Sequence, residues 1–157
     1  MIVLLTMMTL LEGVSPVHAA ALTTVINELR KDGSGEVYLK AKATGDLNDD
    51  GLIDGVFVFS YKMGPNRDHR HTEYLSVVTS TASGYTASWP VIVGARGFRS
   101  IREIEIEGKE VTLRGNFTVS DGTASMATLP AFGEIHLLFV DGKLQEQGGW
   151  WTRRPGL

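Results

Sequence analysis

The chain has 157 residues, enough for one domain with a sizeable core, and its 43% hydrophobic against 21% charged residues exclude an intrinsically disordered protein. A formal net charge of -3 gives no overall basic bias toward nucleic acid. The absence of cysteine excludes disulfide staples, thiolate nucleophiles, cysteine-ligated zinc and a lipid-modified cysteine anchor.

The chain opens on a largely apolar run, Ile2 to Leu11, too short to span a bilayer as a helix. Gly13 and Pro16 interrupt it, and Val17-His18-Ala19-Ala20-Ala21 follows with small residues in the A-x-A-like spacing that a signal peptidase reads. The run lacks the Lys or Arg that usually precedes such a stretch. The expectation is a signal peptide over residues 1–21 and a secreted or periplasmic protein. Its mature chain would begin near Ala20 or Leu22, with a single β-rich domain over 22–157 and no transmembrane segment.

Leu22, Val25, Ile26 and Leu29 recur at helical spacing, with Asn27, Glu28, Arg30 and Lys31 opposite, so a helix is predicted from Leu22 to Lys31. Asp32-Gly33-Ser34-Gly35 ends it. Glu36 to Thr44 then alternates, with Val37, Leu39, Ala41 and Ala43 on one face and Tyr38, Lys40 and Lys42 on the other. Val56 to Met63, Glu73 to Thr79 and Tyr85 to Val93 read as further strands, with Pro90 marking an edge or bulge. Arg102 to Glu107 places Ile104 and Ile106 inward and Glu103, Glu105 and Glu107 outward. Gly108-Lys109 turns the chain into Val111, Leu113 and Phe117. Ile135 to Val140 meets Lys143 to Gln147 across Asp141-Gly142, a favoured hairpin turn. The predicted class is α+β, mainly β: one N-terminal helix followed by an antiparallel sheet, sandwich or small barrel.

Between the first two strands lies Asp46-Leu47-Asn48-Asp49-Asp50-Gly51-Leu52-Ile53-Asp54. Oxygen donors fall at loop positions one, three, five and nine, with glycine at six for a sharp turn and the Leu52 carbonyl at seven. Calcium is a hard cation that takes several oxygens, and alternate residues of a tight loop can supply them. The metal candidates are Asp46, Asn48, Asp50, Leu52 and Asp54. Asp49 points outward and adds to the negative field. Position twelve, where an EF-hand places a bidentate Glu, is Phe57, and no second helix follows, so the expected unit is strand, calcium turn, strand.

Gly45 to Asp54 followed by Val56-Phe57-Val58 resembles the calcium turn of FG-GAP and VCBS-type repeats. That resemblance implies calcium as a structural ion, with side-chain oxygens from Asp46, Asn48, Asp50 and Asp54 and the carbonyl of Leu52. One copy in a chain of this length is too little for a propeller of four or more blades. A looser likeness runs through the loop, Tyr74-Leu75-Ser76-Val77 and Gly94-Ala95-Arg96-Gly97-Phe98-Arg99-Ser100. It is to small uncharacterised secreted bacterial proteins, and it implies location and fold rather than an activity.

Other residues carry weaker signals. Arg67, His69, Arg70, His71, Arg96 and Arg99 make the middle of the chain locally basic, a possible surface for a protein or anionic ligand if their two loops fold together. His69 and His71 alternate and could meet one transition metal, but no third ligand stands at useful spacing. Trp150-Trp151 suits closure of the core, and Asn116-Phe117-Thr118 is a glycosylation sequon. Glu134 and His136 share a strand face without a nucleophile. No G-x-S-x-G, H-E-x-x-H or Walker loop occurs. The sequence thus points to a secreted or periplasmic calcium-binding module that binds a partner rather than transforms a substrate. The alternatives are an inhibitor or immunity-type protein that blocks a partner enzyme, and a small hydrolase with dispersed site residues.

Overall fold

The structure is a computed structural model and describes residues 14–30, 35–62, 71–88, 90–95, 99–118 and 130–153. Helix α1 (Pro16–Arg30) starts earlier than apolar periodicity predicts, because Ser15 and Pro16 form its N-terminus. Proline is favoured at the first helical position, where its missing N–H costs nothing, and Ser15 Oγ accepts the His18 N–H at 3.3 Å. Leu22, Val25 and Ile26 are buried as their spacing predicts, and His18 extends the buried stripe one turn earlier. The expected processing region, Ala19 to Ala21, therefore lies within the helix. Among the described residues no helix is long and apolar enough to cross a membrane.

The strands are β1 (Glu36–Gly45), β2 (Asp54–Lys62), β3 (His71–Thr81), β4 (Gly84–Ala87), β5 (Val91–Ala95), β6 (Arg99–Glu107), β7 (Glu110–Thr118), β8 (Pro130–Val140) and β9 (Lys143–Arg153). They form two antiparallel sheets, not a closed barrel. β1, β2, β3 and β5, with β4 on the free length of β3, make the first; β6 to β9 make the second. The pair Ala95↔Arg99 links them, and β1 packs back against β6. The main core fills the space between the sheets, from Leu47, Val56, Val58, Leu75 and Val77 on one side to Ile101, Leu113, Ile135 and Phe139 on the other. A second core, with Leu22 and Ile26 of α1 on Phe57, Phe59 and Tyr61, covers the outer face of the first sheet. β2 is therefore buried on both faces, which explains its unbroken run Val56-Phe57-Val58-Phe59.

β1 departs from strict alternation. A bulge between Leu39 and Ala41 inserts Lys40, so Val37 and Leu39 face the helix while Ala41 and Ala43 face the inter-sheet core. The expectation of one common apolar face is corrected accordingly. The bulge directs the Lys40 ammonium to the carboxylate of Glu73, which is fully buried, and to Ser100 Oγ at 2.7 Å. Glu73 also accepts the Ile101 N–H at 2.7 Å, so one buried carboxylate joins β1, β3 and β6.

Pro90 has a larger effect than an edge irregularity. It cannot donate to a ladder, and the expected strand divides around it into β4 and β5. Ser88 substitutes for the missing pairing: its N–H donates to Val77 O at 2.7 Å and its hydroxyl accepts the Val77 N–H at 2.9 Å. Asp141 and Gly142 both have positive φ, 49° and 77°, as the tight β8–β9 hairpin requires. Ile104 and Ile106 face inward, and Glu103, Glu105 and Glu107 face solvent.

Candidate metal centre

The Asp46–Asp54 loop caps one end of the inter-sheet core. Leu47, at position two, is fully buried between the sheets, while Asn48 to Ile53 stay at the surface. Asp54 closes the loop from beneath: it is fully buried, and its Oδ2 accepts the Leu47 N–H at 3.0 Å while Oδ1 accepts the Ser80 N–H at 2.7 Å. Each carboxylate oxygen retains a second lone pair.

On the outer side, the side-chain oxygens of Asp46 and Asn48 meet at the Asp50 N–H. Asp46 Oδ1 and Asn48 Oδ1 both accept the Asp50 N–H at 3.1 Å, and Asp46 Oδ2 accepts that of Gly51 at 2.8 Å. Asp50 Oδ1 accepts the Leu52 N–H at 2.8 Å, and its Oδ2 takes the Asn48 amide at 2.9 Å. Gly51 has φ of +80° and Asp49 of 60°, the left-handed conformation that a glycine or a short polar residue adopts most readily. The Gly51 N–H is the chief influence holding the Asp46 carboxyl below the usual aspartate range, helped by Asp50 and opposed by partial desolvation. Mutual repulsion among these acids is thus offset by backbone donors, and the turn is ordered by its own side chains.

Asp49 points outward as expected, and the structure adds its partner. Lys109, on the β6–β7 turn of the opposite sheet, approaches Asp49 Oδ2 at 3.0 Å. Among the described residues, no group of three or more His, Cys, Asp and Glu side chains is arranged to hold a metal ion. The side-chain oxygens of the turn belong to two aspartates and an asparagine, with Asp54 held below them. All are oxygens, which suits a hard cation and not a soft one.

A cleft of about 730 Å³ adjoins the loop, between the start of α1, the end of β1, residues 51–53 and the ends of β3 and β4. Ile53 ties its walls together: its carbonyl accepts Ser80 Oγ at 2.5 Å and His18 Nε2 at 3.3 Å, which gives His18 its proton on Nε2. The His18 ring meets Phe57 and Tyr85 edge-on, with centroids 5.7 and 5.8 Å away. Gly55 makes room, since a Cβ there would lie 2.4 Å from the Phe57 ring and 3.3 Å from His18 Nδ1. Sequence patterning missed His18. Ser15-Pro16 was its signal, since a helix begun there places residue 18 on the Leu22 face.

The basic surface is placed only in part. Arg67, His69, Arg70 and Arg96 lie outside the described residues. The backbones of His71 and Arg99 fall where the two sheets join, since Thr72 pairs Ala95 and Ala95 pairs Arg99. Trp150 and Trp151 lie on β9, with side chains outside the described set. On the outer face of the second sheet, Arg114 Nε meets Glu134 at 2.6 Å and Nη1 meets Glu105 at 2.6 Å, and these carboxylates, Glu134 foremost, raise the guanidinium above its ordinary value. His136 Nδ1 lies 3.3 Å from Thr112 Oγ1, and its Nε2 lies 3.6 Å from Glu134 Oε2. β7 lies between β6 and β8, so its backbone N–H groups serve the ladders on both sides rather than an oxyanion. Comparison with known proteins finds no matching family model, no matching curated protein and no matching solved structure.

Proposed function

We propose that the protein is a secreted or periplasmic β-rich binding module in which the Asp46–Asp54 turn holds one structural calcium ion. The observation that carries this reading is that Asp46 Oδ1 and Asn48 Oδ1 meet at the Asp50 N–H on one surface turn, above a carboxylate buried at its base. Asp46, Asn48 and Asp50 would hold the ion, with the Leu52 carbonyl and Asp54 completing the FG-GAP-like set. When bound, calcium supplies positive charge among these acids and fixes the turn, without chemistry of its own. The apolar run Ile2 to Leu11 and the small residues at Ala19 and Ala21 support export, where calcium is millimolar. A cleft beside the turn supports binding as the role.

The reading is tested by thermal unfolding in 10 mM calcium against excess chelator. For sites of the extracellular class, with dissociation constants of about 10⁻⁴ to 10⁻³ M, that concentration stabilises the native state by about 1–3 kcal/mol. The midpoint rises by roughly 3–10 °C for a domain of this size. Equal midpoints in calcium and chelator contradict the reading.

A further inference from the structure

The acidic loop of the first sheet meets a cation from the second. Lys109 occupies the turn between β6 and β7, where Gly108 has φ of 56° and Glu107 pairs Glu110. Its carbonyl accepts the Phe139 N–H at 2.8 Å, so the backbone of the turn is pinned to β8. From that base the ammonium reaches across to Asp49 Oδ2 at 3.0 Å. The loop is fixed on its own side: Leu47 is fully buried in the inter-sheet core beside Val111, and a Cβ at Gly45 would lie 2.8 Å from the Ile106 side chain. Loop and turn therefore cannot separate without opening the core, and Lys109 stays beside the turn that carries Asp46, Asn48 and Asp50.

A cation so placed acts on a calcium ion in the loop in two opposite ways. As a tether it helps to order the loop and so favours the ion. As a charge it repels the ion and neutralises one of the acids that attract it. The tether contributes little, because both side chains of the pair are more than half exposed, and exposed pairs hold weakly. The turn is also already ordered by its own hydrogen bonds to the Asp50, Gly51 and Leu52 N–H groups. The charge needs no ordered pair: it acts through the surrounding water at short range and is reduced only by salt.

We propose that Lys109 is a built-in counter-ion that sets the calcium affinity of the loop, holding it weaker than the acids alone would make it. The inference rests on the calcium reading above and adds the residue that tunes that site from the opposite sheet. Without the ion, Lys109 offsets part of the negative charge of the loop; with it, two cations compete for the same acids. By linkage, calcium weakens the hold of Asp49 on Lys109 by the same factor.

The test is calorimetric titration of the full chain with calcium, beside Lys109→Gln, Lys109→Glu and Lys109→Arg, at low and high salt. In about 10 mM salt Lys109→Gln binds calcium about threefold more tightly than the parent and Lys109→Glu about tenfold, while Lys109→Arg stays within about twofold. These differences close in about 0.5 M salt, where the screening length falls to about 4 Å. Coulomb energy scales with the charge of the ion, so lanthanum, with its higher charge, gains about fivefold in Lys109→Gln at low salt. A structural tether predicts the opposite sign and no dependence on ionic charge. Equal or weaker calcium binding by Lys109→Gln, or a gain that persists at high salt, overturns the inference and leaves the calcium reading standing. Failure of the parent and every variant to bind either ion overturns both.

Discussion

Ser80 donates its backbone N–H to Asp54 Oδ1 at 2.7 Å, at a point where Asp54 is fully buried and Ser80 nearly so. The same carboxylate accepts the Leu47 N–H at 3.0 Å, so one side chain fastens the loop to β3 and seats Leu47 in the inter-sheet core. The ninth position of the turn is therefore a structural pillar in its own right, with or without an ion.

Asp54→Ala should accordingly destabilise the protein even in chelator. It leaves two buried N–H groups without acceptors, a loss of roughly 2–5 kcal/mol. Asp50→Ala, at an exposed position, should cost under about 1 kcal/mol under the same conditions. Urea unfolding of both variants in chelator measures this; equal losses would contradict the distinction between pillar and rim.

Lys40 and Glu73 give a second stability test. Lys40→Met removes the ammonium that pairs with the fully buried Glu73 carboxylate. Breaking a buried pair from one side costs roughly 3–5 kcal/mol, and denaturant unfolding should show a loss of that order. A loss under about 1 kcal/mol would show that the Ile101 N–H and the carboxylate's other neighbours suffice for it.

Much of this arrangement was legible in the sequence. Helical spacing identified Leu22, Val25 and Ile26 as a buried face, and alternation oriented Ile104 and Ile106 correctly. The inverted faces of β1 were not, because a bulge has no signal in residue type: Val37, Leu39, Ala41 and Ala43 alternate perfectly, and only the partner strand reveals that Lys40 is the extra residue. The role of Glu73 was hidden for a related reason, since its partners Lys40 and Ile101 come from β1 and β6. His18 was obscured because Pro16 breaks a helix when internal but starts one when preceded by Ser15. The loop was conspicuous, yet its spacing did not disclose that the Gly51 and Asp50 N–H groups already occupy Asp46.

The Asp46 bonds carry a pH signature. A carboxyl held below its ordinary value stabilises the folded state fully above about pH 3.9, the unfolded aspartate value, and loses that contribution as pH falls through its folded value. In chelator, carbon-13 NMR should show Asp46 titrating below about 3.9, with loop amide resonances moving at the same midpoint. A midpoint at or above 3.9 would mean that the Gly51 N–H bond does not persist in solution.

Processing offers a test of location. Expressed from residue 1 in a bacterium with an export pathway, the protein should be recovered outside the cytoplasm with an N-terminus at Ala20 or Leu22, as read by N-terminal sequencing. That event would remove the His18 contact with Ile53, Phe57 and Tyr85, and hydrogen exchange at the Ile53 and Gly55 amides should quicken relative to the full chain. Recovery of intact chain from the cytoplasm would contradict export.

Calcium at the loop is examined most directly by calorimetric titration of the protein beside Asp46→Ala and Asp50→Ala. The expected result is saturation near one ion per chain with a dissociation constant of about 10⁻⁴ to 10⁻³ M, lost in both variants while each still unfolds cooperatively. No heat of binding at millimolar calcium, or equal binding by the parent and both variants, would contradict a calcium site at Asp46–Asp54.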